Sequence, residues 1–293
     1  MNSKPHYINV RGKLLDLSVP RVMGIINVTP DSFYKQSRFA TDDAVLNAAK
    51  KMISEGADIL DIGGYSSRPG AEKISAAEEK NRVLPAIKLI NREFPEAIIS
   101  IDTFRSEIAA EAILDCGASL INDISGGEAD AKMFDTIVRL RVPYIIMHMK
   151  GEPSSMQLKP VYDDVVAEIL KWLGERIVKL QLMGVSDIII DPGFGFGKTA
   201  EHNFELLRCL GDFRIAGLPV LVGLSRKSTI WKTLGITPEQ SLNGTTVLNT
   251  VALLHGTDIL RVHDVKEAVE AIRLIDRLMR PKSETGSKEW AQL

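Results

Sequence analysis

An α/β fold of the (β/α)8 TIM-barrel class is what this chain predicts, and three observations carry the prediction. Eight short apolar runs rich in β-branched residues alternate with eight stretches of helical apolar spacing, the pattern of a parallel sheet joined by crossover helices. The runs are continuously apolar instead of alternating, as strands covered on both faces are. Eight such units within 293 residues match a closed barrel. A doubly wound open sheet usually has fewer strands and a glycine fingerprint in its first loop, and the first loop here carries none.

Taken in order, residues 1–20 read as a short hairpin or cap, because Tyr7–Val10 and Leu14–Leu17 flank the turn signal Arg11-Gly12-Lys13. The first barrel strand is Val22–Val28, ending in Asn27 and the loop Thr29-Pro30-Asp31-Ser32-Phe33. A helix over Thr41–Glu55 follows, with Val45, Ala48, Ala49 and Met52 at helical spacing, Thr41 as its cap and Gly56 closing it. Ile59–Gly64 is the second strand, with the loop Tyr65–Gly70 and a helix over Ser75–Glu93. Ile98–Thr103 leads to a helix over Ser106–Asp115, and Leu120–Ser125 to a Gly126-Gly127 turn and a helix over Ala131–Leu140. Tyr144–Met149 is followed by a long loop and a helix over Val161–Met183.

The sixth unit is Asp187–Lys198, DIIIDPGFGFGK. Three isoleucines suit a strand buried on both sides, and Pro192 with Gly193 ends it just after Asp191. The loop beyond has glycines that let backbone approach a ligand, Phe194 or Phe196 to offer a flat face, and Lys198. A helix over His202–Leu210 follows. Val220–Ser225 is the seventh strand, then come Arg226-Lys227-Ser228, a short helix and a main helix over Pro238–Leu254. Ile259–His263 is the eighth, and a last helix runs to about Arg280. Residues 1–280 are expected to form a single domain, with 281–293 a polar tail frayed beyond the last helix.

Composition narrows the class of protein. Hydrophobic and charged contents of 45% and 25% are ordinary for a soluble chain. A formal net charge of -2 gives no field toward nucleic acid or a membrane. No run nears the roughly 20 apolar residues of a membrane span, and the first residues, MNSKPHYINVRGK, lack a signal-peptide run. Cys116 and Cys209 have neither metal nor redox spacing and read as small core residues. A cytoplasmic enzyme or binding protein is expected.

In a barrel of this class the active site lies at the carboxyl ends of the strands. There the chain places Asn27, Asp61, Asp102, Asn122, His148, Asp191, Lys227, Arg261 and His263. Any one of these reads equally as a cap or a buried hydrogen bond. Converging on one rim, they would bury much charge without compensation unless they served a ligand. Asp102, Asn122 and Asp191 suit a heterocycle with amino and ring N–H donors. Lys227, Arg261 and His263 suit phosphate, and Lys227-Ser228 opens a helix whose free N–H groups attract an anion. Asn27 could take a hard cation through its amide oxygen, which alone is a weak metal signal. No His/Cys cluster for zinc and no complete P-loop occurs. His148, between two methionines, reads at least as well as a core histidine. The loops Thr29–Arg38 and Tyr65–Lys73 are polar and long, with Pro30 in the first and Pro69-Gly70 in the second; lids that exclude water and plain surface loops fit that composition equally.

Several motifs in one order resemble those of the dihydropteroate synthase family. They are Asn27-Val28-Thr29-Pro30-Asp31-Ser32-Phe33, Asp61-Ile62-Gly63-Gly64 with Ser67-Arg68-Pro69-Gly70, Asp191–Lys198, Ser225-Arg226-Lys227-Ser228 and Arg261-Val262-His263, spread over about residues 20–280. The resemblance implies a (β/α)8 barrel that condenses 6-hydroxymethyl-7,8-dihydropterin diphosphate with 4-aminobenzoate, giving dihydropteroate and diphosphate. It implies Asp102, Asn122 and Asp191 at the pterin edge, Lys227 over the ring carbonyl and N5 region, and Met147 and Phe196 lining the pterin slot. It puts Asn27, Arg261 and His263 at the diphosphate, with Asn27 the ligand of Mg2+. It puts Phe33, Ser67, Arg68, Pro69 and Ser228 around the aminobenzoate, where sulfonamides bind in the family. Lys227, Arg261 and Asp102 are its expected catalytic residues, and a homodimer its expected assembly. Two departures stand out: Tyr65-Ser66-Ser67 replaces the common Glu-Ser-Thr, and Tyr34–Arg38 replaces the common Ser-Asp-Gly-Gly. A methyltetrahydrofolate:corrinoid methyltransferase would share the pterin edge but needs no diphosphate site. A non-catalytic pterin-binding or subunit-interaction module is a third reading.

Overall fold

The structure is a computed structural model that describes residues 6–28, 38–65, 74–151, 156 and 160–279, with residues 38–41 as backbone alone. The rim loops expected after the first two strands lie largely outside these residues, and the tail 281–293 wholly so. A hairpin of β1 (Tyr7–Val10) and β2 (Lys13–Asp16) comes first. Then follow β3 (Arg21–Asn27), α1 (Arg38–Glu55), β4 (Ile59–Gly63), α2 (Ala76–Glu93), β5 (Ile98–Asp102), α3 (Ser106–Cys116), β6 (Leu120–Asp123) and α4 (Met133–Leu140). The second half holds β7 (Tyr144–Met147), α5 (Val165–Leu182), β8 (Ile188–Asp191), α6 (Ala200–Arg208), β9 (Leu221–Val222), α7 (Ser228–Leu234), α8 (Leu242–Leu254), β10 (Ile259–Val262) and α9 (Val265–Met279).

Eight parallel strands run in the order β8-β7-β6-β5-β4-β3-β10-β9. The parallel bridge between Ile190 and Val220 joins β8 to β9 and closes the ring. The expected barrel is therefore present, and the expected hairpin has a definite place in it. Ile8, Val10 and Leu17 pack with Met23, Ile59, Leu120, Ile145, Ile189, Leu221 and Ile259, sealing the amino-terminal end of the barrel. Asp187, at the foot of β8, accepts the Asn9 N–H at 2.8 Å, and Arg11 donates to the carbonyls of Gly117 and Pro95. The other side chain of each strand pair, such as Leu60, Ile62, Ile99, Ile121, Ile146, Ile188 and Ile190, faces out into the core shared with the helices.

Helix ends differ from expectation for local reasons. The helix predicted over Ser75–Glu93 runs over Ala76–Glu93, with Ser75 as its cap, accepting the Glu78 N–H at 3.1 Å. The sequence predicts Thr41 as the cap of the first helix; α1 instead begins at Arg38, so Thr41 lies inside it. The helix predicted from Val161 starts at Val165, because Asp164 accepts the N–H groups of Val166 at 3.0 Å and Ala167 at 2.9 Å. The helix predicted from Pro238 starts at Leu242, because the Pro238 carbonyl is engaged by Ser241 in a turn.

Candidate active site

Every second side chain of a strand faces the same way, and this places the site. Two residues beyond Ile59, Leu120, Ile145, Ile189 and Ile259 of the sealed lower layer stand Asp61, Asn122, Met147, Asp191 and Arg261. Each therefore enters the barrel one layer higher, toward the carboxyl rim. Asn27 and Asp102 stand four residues beyond Met23 and Ile98 on the same faces. Two beyond Leu221 is Gly223, beside the same layer: a Cβ there would be in ordinary contact with Lys227 Nζ at 3.8 Å and Arg261 Cβ at 3.9 Å.

Arg261 is the hub. Its Nε donates to Asp61 Oδ2 at 2.7 Å and its Nη2 to Asp102 Oδ2 at 2.7 Å. Asn122 Nδ2 donates to the same Asp61 oxygen at 3.0 Å. Asp102 and Asn27 flank the end of β4, since a Cβ on Gly63 would lie 3.5 Å from Asp102 Oδ2 and 3.7 Å from Asn27 Oδ1. Burial raises the Asp102 carboxyl to about 7, with Arg261 opposing and Asp61 adding to the shift. The Arg261 guanidinium is held above its usual value, its two carboxylate partners outweighing burial.

Lys227 comes from the turn after β9 and lies over the Phe196 ring, its Nζ 4.5 Å from the centroid. It donates to the Phe194 carbonyl. Burial pushes it down to about 8, with Asp191 opposing. Asp191 is buried and its carboxyl is raised by burial, against which Lys227 acts most; its Oδ1 accepts the Gly193 N–H at 2.7 Å. Phe196 and Met147 join Ile124 and Met156 in a small apolar cluster, with Phe104 and Met149 beside it. This apolar cluster adjoins the polar layer, since Met147 pairs in register with Asp191 and Phe196 lies under Lys227. Phe194 is instead part of the main core.

His148 is a core histidine. Its ring Nδ1 is 3.0 Å from Lys198 Nζ, it stacks edge-on to Trp172 at 5.1 Å, and burial with the nearby Lys198 lowers it to about 2. Lys198 does not serve a ligand either. It is buried and donates to the carbonyls of His148, Gly193 and Phe196 at 3.3, 2.9 and 2.9 Å. Gly193 has φ +74° and a Cβ there would collide with the His148 carbonyl, so this glycine permits the clamp.

His263 follows β10, and its Nδ1 is 3.0 Å from Ser225 Oγ, which itself accepts the His263 N–H at 3.1 Å. The serine hydroxyl, one donor with two acceptor lone pairs, thus holds both the backbone and the ring of His263 and fixes the ring's orientation. Arg226 sits at φ +55° and grips Asp264 with Nε at 2.9 Å and Nη2 at 2.7 Å, tying the β9 turn to the β10 turn. Ser228 begins α7, a helix of seven residues. Phe33, Ser67, Arg68 and Pro69 lie outside the described residues. Asp61, given no role from sequence beyond its place on the rim, proves central, and Ile124 and Met156 were not singled out at all. The signal for Asp61 was present in its two-residue step from Ile59.

Among the described residues no helix is long and apolar enough to cross a membrane. Residues 23–263 match the family described as pterin binding enzyme. The dihydropteroate synthase of Escherichia coli (strain K12) is 42% identical over 277 residues, 93% of this chain and 96% of that one. The solved dihydropteroate synthase of Yersinia pestis with a sulfonamide drug is 38% identical with TM-score 0.87, covering 93% of this chain and 99% of that one. That of Xanthomonas albilineans with 4-aminobenzoic acid is 39% identical with TM-score 0.87, over 95% and 100% of the two chains; its complex with 7,8-dihydropteroate gives 38% and 0.84, over 94% and 100%. With this likeness running through nearly the whole barrel and its rim, the chain belongs to the dihydropteroate synthase family of pterin binding enzymes.

Proposed function

We propose that this chain joins 6-hydroxymethyl-7,8-dihydropterin diphosphate to 4-aminobenzoate, with Asp102, Asn122 and Asp191 holding the pterin edge, Met147 and Phe196 lining its slot and Lys227 above the ring. The observation that carries the assignment is the single polar network in which Asp61, Asp102, Asn122 and Arg261 meet at the rim. In the reaction the C–O bond between the exocyclic methylene and diphosphate breaks. A C–N bond from the aromatic amine forms, and the amine releases a proton to solvent. Negative charge grows on the leaving group, beside Arg261 and His263, where preorganised donors stabilise it most. Positive charge spreads into the pterin, and Asp102 and Asp191 offset it. The amine attacks a strongly electrophilic carbon, so no general base is required of the side chains.

The residues present fit Mg2+ of a particular kind. That ion keeps several waters and takes one or two protein oxygens together with substrate phosphates. A single amide oxygen on Asn27, at a rim where no three His, Cys, Asp or Glu cluster among the described residues, suits an ion that arrives with the diphosphate. When bound, Mg2+ supplies further neutralisation of the leaving group. Phe33, Ser67, Arg68, Pro69 and Ser228 are our assigned border of the aminobenzoate, a place where sulfonamides compete. The enzyme is assigned to the cytoplasm, which agrees with two unbridged thiols, Cys116 and Cys209.

We assign a homodimer to the face made by α7, α8 and α9. Leu234, Val247, Leu254, Leu274, Leu278 and Met279, all on these three helices, are exposed, and exposed apolar side chains are the material from which interaction sites are built. Sedimentation velocity is expected to give twice the chain mass. The activity itself is tested by diphosphate release from the pterin diphosphate. Release that requires both 4-aminobenzoate and Mg2+ is expected; tight pterin binding without release would indicate a binding module instead.

A further inference from the structure

Asp61 has no task in the reaction as read above, although it is the most enclosed carboxylate of the network, its side chain 0% exposed. Its Oδ2 takes two donors, Arg261 Nε at 2.7 Å and Asn122 Nδ2 at 3.0 Å. Its Oδ1 has no hydrogen-bond partner among the described residues. A buried carboxylate satisfied on one oxygen alone keeps part of its desolvation cost. The same interior layer on β7 is filled by apolar Met147, so packing does not demand a charge at this level of the barrel.

We propose that Asp61 is a positioning residue for the reaction, its one engaged oxygen fixing both the rotation of the Arg261 guanidinium and the flip of the Asn122 amide. Asn122 spends one of its two N–H groups on Asp61, which fixes the nitrogen on that side and turns the carbonyl Oδ1 the other way, as an acceptor for a ring or amino N–H. Arg261 spends Nε on Asp61 and one Nη2 hydrogen on Asp102, and its Nη1 has no partner among the described residues. The end of the fork therefore faces an anion while its side is held by carboxylates. A lysine has a single nitrogen and no such fork. The inference rests on the diphosphate role of Arg261 given above.

The test is the affinity for inorganic diphosphate, read by calorimetry, in Asp61→Asn, Arg261→Ala, Arg261→Lys and the double variant Asp61→Asn with Arg261→Ala. Asp61→Asn is expected to weaken binding by about 10- to 100-fold, the range for residues that orient a ligating group. Arg261→Lys is expected to lose nearly as much as Arg261→Ala, and the double variant no more than Arg261→Ala alone, because the two act through one contact. If Arg261→Ala binds diphosphate normally, the diphosphate role of Arg261 fails and this proposal with it. If Arg261→Ala loses affinity while Asp61→Asn keeps it, or if the two losses multiply, the positioning role alone fails. Should Asp61→Asn not fold, Arg261→Lys decides: a loss equal to that of Arg261→Ala upholds the proposal, and full affinity overturns it.

Discussion

Asp102 and Lys227, both assigned above to the pterin, are displaced in opposite directions, one raised to about 7 and the other lowered to about 8. On the proposed binding mode the pterin N–H groups take a carboxylate as acceptor, so Asp102 must lose its proton, and the ring carbonyl takes an ammonium, so Lys227 must keep its own. In the free enzyme kcat/KM for the pterin diphosphate should therefore rise as pH passes about 7 and fall as it passes about 8. A profile flat from 6 to 9 would contradict these assignments. The stability sign for Asp102 runs the other way. Its folded value lies above the ordinary carboxylate value of 3.8, so the folded chain binds the extra proton and this contribution is lost as pH rises from about 4 through about 7. Asp191→Asn should weaken pterin affinity severely by calorimetry while leaving the thermal melt intact, since the carboxylate is held in place by the Gly193 N–H and an amide oxygen can accept that bond too. Arg261→Ala should lower turnover more than pterin affinity, because its partner's charge grows in the transition state; equal loss of both would assign it to ground-state binding.

The loop Asp191–Lys198 shows best which parts of an element are legible in sequence. The strand, its stop at Pro192 and the functional carboxylate can be read from residue types and a two-residue period. Which phenylalanine stands at the rim cannot, because that depends on helix packing: Phe194 turns into the main core and Phe196 joins the cluster with Met147. The buried ammonium of Lys198 is also illegible, since its acceptors are carbonyls of an irregular loop and of His148, 50 residues away. Asp61 hid its role for the same reason, its main partner Arg261 being 200 residues distant. Lys198→Met should leave three carbonyls without their donor, at a cost of about 3 kcal/mol or more. It should also loosen the loop that presents Asp191 and Phe196. Urea denaturation and pterin affinity should both register it; a variant as stable as the parent would mean that the carbonyls find other partners.

At the scale of the whole molecule, the barrel has two unlike ends. The amino-terminal end is plugged by the hairpin through Ile8, Val10 and Leu17, and the carboxyl end keeps its polar layer for chemistry. This division was readable as far as the alternation of strands and helices and the polar strand ends go. The residues proposed above to border the aminobenzoate, Phe33 and Ser67–Pro69, fall outside the described residues. The central claim is that one mouth holds a heterocycle deep among Asp102, Asn122, Asp191 and Lys227, with the departing anion beside Arg261 and His263. The most direct measurement is a crystal structure of the enzyme soaked with a pterin diphosphate. The claim predicts ring N–H groups within hydrogen-bond distance of the Asp102, Asn122 and Asp191 oxygens and phosphate oxygens on Arg261; a pterin bound elsewhere, or in this slot with its diphosphate turned away from Arg261 and His263, would contradict it.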